Sequence, residues 1–71
     1  MSYKETEVEE RVYRKYGLAA SEHILRNARA IQDNAKNRTK KQMSLEVAVK
    51  KAIEWMYTKY PREQLRDLGM M

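Results

Sequence analysis

Cysteine is absent from the 71 residues, which excludes disulfides, thiolate metal sites and a thiol nucleophile. Small extracellular domains usually need such cross-links, so the composition points to a reducing, cytoplasmic setting. Two glycines and one proline are too few for an all-β or loop-rich fold. They also leave no Gly-rich loop to cradle a nucleotide phosphate. No apolar run approaches the roughly 18 residues of a membrane span, and the N-terminus opens directly into charged residues. Neither a signal peptide nor a membrane association is expected.

Histidine occurs once, as His23. Catalysis there requires an oriented partner and a nucleophile within reach, and metal binding requires several further ligands. The residue falls on the flank of its helix and reads as a partly exposed surface side chain. Glu5, Glu7, Glu9 and Glu10 are interspersed with Lys4, Arg11 and Arg14, a mixture that suits a helix N-terminus and solubility better than a cation site. The sequence is accordingly read as no enzyme, with no catalytic residue, cofactor, metal or small-molecule substrate.

What is present is a set of helix-forming residues arranged in stripes. The spacing predicts helices near 3–16, 21–36, 44–60 and 61–68. Ser2 with Glu5 matches a capping box, and Val8, Val12 and Tyr16 form a narrow stripe on the first helix. Gly17 is expected to stop that helix in a left-handed conformation, with Leu18 packing back on Tyr13. Ser21 is the expected cap of the second helix, whose face is Ile24, Ala28, Ile31 and Ala35, and Asn37 its expected end. The third helix starts from Ser44, with Thr39 as the alternative. It has the widest apolar face: Leu45, Ala48, Val49, Ala52, Ile53, Met56 and Tyr60, with Val47 pointing outward. Pro61 suits the first position of a short fourth helix with Leu65 and Leu68 inward. Gly69 stops this helix, and Met70 closes back on Leu65.

Charge is localised. The formal net charge is +5, and outside residues 36–51 acids and bases balance segment by segment. Within that segment Lys36, Arg38, Lys40, Lys41, Lys50 and Lys51 are opposed by Glu46 alone. A solvated connection between helices also collects such residues, but the concentration marks this segment as the candidate contact for a polyanion or an acidic partner. The exposed side of the third helix offers a poor set for reading base edges, so any nucleic-acid contact is expected to be to the backbone. Tyr13, Tyr16, Trp55 and Tyr57 belong to residue types enriched at protein interfaces and are the candidate interface set.

Together these features predict a single all-α domain over 1–71, a small three- to four-helix bundle. Large inward side chains are few, so a two-fold homodimer is expected to complete the core. The functional expectation is a non-enzymatic regulatory or adaptor protein that docks on another macromolecule. The alternatives are a small basic nucleic-acid-associated protein with low-specificity contacts and a structural assembly component.

Overall fold

The helical periodicity resolves into three helical runs and no strand among the described residues, an all-α fold. The computed structural model describes residues 3–71, with side chains from Thr6 onward, so the expected Ser2–Glu5 capping box lies outside the described residues. α1 covers Tyr3–Thr39, α2 covers Leu45–Lys59 and α3 covers Arg62–Asp67. α1 is broken at Gly17, where φ is 82° and ψ is 175°. That region is open to glycine and strained for any residue with a Cβ.

The break folds α1 into two antiparallel arms, residues 3–16 (the N-arm) and 18–39 (the C-arm). Glu9 meets Arg29 at 3.1 Å, and the buried Ser21 hydroxyl donates to the Val12 carbonyl at 2.9 Å. In an unbroken helix Glu9 and Arg29 would stand about 30 Å apart. α2 then runs back along the C-arm, because Gln32 Nε2 donates to the Met43 carbonyl at one end while Asn27 and His23 reach Tyr60 at the other. The N-arm and α2 are therefore parallel to each other, and both are antiparallel to the C-arm.

Alanine lets these elements approach closely. Ala20 and Ala28 of the C-arm and Ala48 and Ala52 of α2 have no solvent exposure, nor do Ile24 and Met56 beside them. Val8 and Val12 are the buried residues of the N-arm among those whose side chains are described. Leu65 of α3 and Met70 extend the core at the Gly17 end of the molecule.

Several local expectations are corrected. Gly17 does take a positive φ, but its ψ is extended rather than left-handed, and the second helical arm resumes at once. Leu18 is left 67% exposed rather than closed down on the first helical arm, where Tyr13 is 39% exposed. Ser21 is not a cap, since it lies one turn inside the C-arm and joins the two arms. The C-arm also runs past Asn37 to Thr39. Lys40 is the residue with positive φ, at 58°, and its N–H donates to the Lys36 carbonyl at 2.9 Å to form a left-handed helix stop. Thr39 bonds the Ala35 carbonyl at 2.8 Å within α1, so it is not the start of the next helix.

Ser44 is the N-cap of α2, accepting from the Val47 N–H at 3.3 Å, and Val47 faces outward as expected. Pro61 occupies the N-cap of α3 rather than its first helical position. Gly69, at φ 81°, closes α3 with paired bonds from its own N–H to Arg66 and from the Met70 N–H to Leu65. This is the double closure expected of a Schellman stop. No helix among the described residues is long and apolar enough to cross a membrane.

Candidate functional site

The basic segment is built from the difference in length between the two arms of α1. At 1.5 Å per residue the C-arm is about 33 Å long and the described N-arm about 21 Å, so among the described residues the C-arm extends about 12 Å further from Gly17. Lys36 and Arg38 lie in that extension, in the last turn, where cations offset the negative end of the helix dipole. Lys40 and Lys41 follow in the connection to α2. The connection is held by Gln32 on Met43 and by the Lys41 N–H on the Thr39 hydroxyl at 3.3 Å. All four side chains are exposed, and none has a carboxylate within ion-pair distance among the described residues.

The remaining two predicted cations do not join this cluster as a pair. Lys50 and Lys51 are successive residues of α2 and diverge by about 100° around its axis. Lys50 lines a groove between α2 and the N-arm, and Lys51 is exposed outside that groove. The structure thus places Lys36, Arg38, Lys40 and Lys41 at one end of α1 and its connection, with Lys36 and Arg38 about 200° apart around the helix axis, and separates Lys50 and Lys51 from each other.

The groove is the second candidate site, with a volume of about 580 Å³. Val8, Val12, Val49 and Ile53 form its apolar floor, and Tyr16 and Tyr57 line it as well. Arg11 and Glu46 approach to 3.6 Å across it, from the N-arm and α2 respectively. Both side chains are well exposed, so this bridge contributes little to stability. One turn further along each wall stand Lys15 and Lys50. The Lys15 ammonium lies 5.5 Å from the centroid of the Tyr16 ring, and neither lysine has an ion-pair partner among the described residues.

The candidate interface aromatics separate into different environments. Tyr16 is half-buried against the core, whereas Tyr13 is exposed and outside the groove. Tyr57 lines the groove and donates its hydroxyl to the Met70 carbonyl at 2.6 Å, holding the end of the chain. Trp55 is 46% exposed and meets Tyr60 edge to face, with centroids 5.9 Å apart. Tyr60 in turn contacts His23 at 6.1 Å in a T-shaped arrangement, and its hydroxyl lies 3.4 Å from both His23 Nδ1 and Asn27 Nδ2. His23 is therefore half-buried and packed, more constrained than a free surface histidine.

The sequence reading missed Arg11, Lys15 and the groove as a whole. A signal was present in the mismatch of stripes, because the two valines of the N-arm are too few to cover the broad face of α2. Ile53, expected in that face, is left half-buried at the groove floor as a result. No group of three or more His, Cys, Asp or Glu side chains suited to a metal ion occurs among the described residues. No protein-family model, curated protein or solved structure matches the chain.

Proposed function

We propose that the protein is a non-enzymatic adaptor or regulatory protein, cytoplasmic on its cysteine-free composition, that docks on another macromolecule. The observation that carries this reading is the groove: four aliphatic side chains and two tyrosines between parallel helices, open to solvent except where the exposed Arg11–Glu46 pair spans it. A surface of this kind presents apolar anchoring positions framed by charge, the arrangement of a helix-binding groove. Capture from native lysate tests it, with the intact chain and with Ile53→Asp, each with and without nuclease. Circular dichroism establishes that the variant remains helical. The expected result is a protein partner that survives nuclease and is lost with Ile53→Asp. A partner set indifferent to that substitution would overturn the reading.

A nucleic-acid-associated role is the second reading, favoured by the four exposed cations at the end of α1 and in the connection that follows, which have no carboxylate partner among the described residues. Such a site contacts phosphate rather than bases and weakens steeply with salt. Self-association as a two-fold dimer is proposed on a separate surface. Leu18 and Tyr13, outside the groove and beside the Gly17 turn, leave apolar area exposed that a second copy would cover.

A further inference from the structure

Two lysines face an apolar floor from opposite walls of the same groove, and among the described residues neither has a carboxylate partner. The neighbouring turn of each wall shows what the geometry accommodates, since Arg11 and Glu46 are paired there across the gap at 3.6 Å. The N-arm and α2 run parallel, and residues 11 to 15 and 46 to 50 each advance one turn. Lys15 and Lys50 therefore stand about level, where the preceding turn has one base and one acid. Glu54 lines the same wall as Lys50 but one turn beyond it, and forms no ion pair with either lysine.

We propose that the groove binds an amphipathic helix of a partner protein whose apolar anchors cover Val8, Val12, Val49 and Ile53 and whose carboxylate sits between Lys15 and Lys50. This rests on the docking reading above and specifies its occupant. The groove runs from Val8 to Tyr16 on one wall, about 12 Å or two helical turns, which matches anchors at i, i+3, i+4 and i+7. Its volume of about 580 Å³ lies in the range of small-molecule pockets, but those enclose most of their ligand. Here Arg11, Lys15, Lys50, Glu54 and Tyr57 are all exposed along the rim, so the shape suits one face of a rod. Charge selects which rod. A helix flanked by lysine would set like charges against Lys15 and Lys50, whereas one flanked by glutamate satisfies both.

The test uses the full chain labelled with nitrogen-15 and two hydrocarbon-stapled peptides of about fourteen residues, long enough for the four anchors. They share leucine anchors and differ only in flanking glutamate against flanking lysine. The expected result is that the glutamate peptide shifts amides within residues 8–16 and 46–57 and binds about tenfold more tightly than the lysine peptide. The double variant Lys15→Glu with Lys50→Glu, both at exposed positions, should invert that order. Equal affinity for the two peptides, shifts confined to residues 36–41, or no binding of either peptide would overturn the acidic-helix proposal. Amides of residues 46–57, on the α2 wall away from Tyr13 and Leu18, that shift on dilution of the protein alone would do so as well, by assigning the groove to a second copy. A lysate partner still lost with Ile53→Asp would then leave the docking reading standing without this occupant. Loss of both results removes the docking reading too.

Discussion

Lys40 holds φ at 58°, a conformation that costs a residue with a Cβ roughly 1–2 kcal/mol. The helix stop explains why some residue must adopt it, since the Lys40 N–H closes on the Lys36 carbonyl, but glycine would do so without that strain. Lys40→Gly is therefore expected to raise stability by about 0.5–1 kcal/mol, after glycine's greater chain entropy is deducted. Its chemical-unfolding midpoint measures this directly. If the cationic end meets a nucleic-acid backbone, the same substitution should also reduce the salt dependence of binding by about one unit of slope. The two effects have opposite consequences for fold and function. A variant that is stabilised but unchanged in its salt slope would remove Lys40 from the contact.

Among the elements, the turn at Gly17 decides the topology. A Cβ added there meets nothing within 4 Å, so the penalty for Gly17→Ala is backbone strain rather than collision, about 1–3 kcal/mol. Thermal unfolding should show it, and a midpoint equal to that of the parent chain would mean that the turn relaxes without loss. Ala52 sits at the opposite extreme, fully enclosed in the α2 face. Ala52→Leu should overpack the α2 core and cost about 1–3 kcal/mol, read as a lowered denaturant midpoint.

These elements were legible to different degrees. The stripes of the N-arm and α2, the Ser44 cap and the Gly69 stop depend on residues within a few positions of each other, and local patterning reveals them. Ser21 could not be placed that way, because its acceptor is nine residues upstream and becomes a neighbour only once Gly17 has turned the chain. The end of the C-arm was misjudged at Asn37 for a similar reason. Intrinsic preference favours asparagine there, but Thr39, Lys40 and the Gln32–Met43 bond extend the helix by two residues. The candidate cations were legible as a run. Their division between the end of the C-arm and the groove depends on the helical azimuth of Lys50 and on where the N-arm lies.

For the whole molecule, the cationic end and the groove act as separable surfaces. Neutralising Lys36, Arg38, Lys40 and Lys41 together should abolish most salt-sensitive polyanion binding while leaving helical content unchanged, as checked by titration at two ionic strengths. Sedimentation equilibrium at micromolar concentration is expected to give a dimer mass that falls to the monomer with Leu18→Asp. A monomer mass for the parent chain would show that Leu18 is merely tolerated at the surface. The narrow valine stripe of the N-arm has one more consequence, which concerns motion. Among the described side chains of the N-arm only Val8 and Val12 are buried, each supplying about 1.5–3 kcal/mol, whereas the seam between the C-arm and α2 also encloses Ile24, Leu45 and Met56, so the N-arm is expected to open at a smaller free energy. Its amides should then exchange with deuterated solvent faster than those of residues 48–56, in a sub-global event that leaves the rest of the chain protected. Because the N-arm is also one wall of the groove, each opening dismantles the docking surface. A ligand bridging both walls would slow exchange across residues 8–16 while leaving residues 48–56 nearly unchanged, so occupancy would be recorded as protection of a helix rather than as a change of shape.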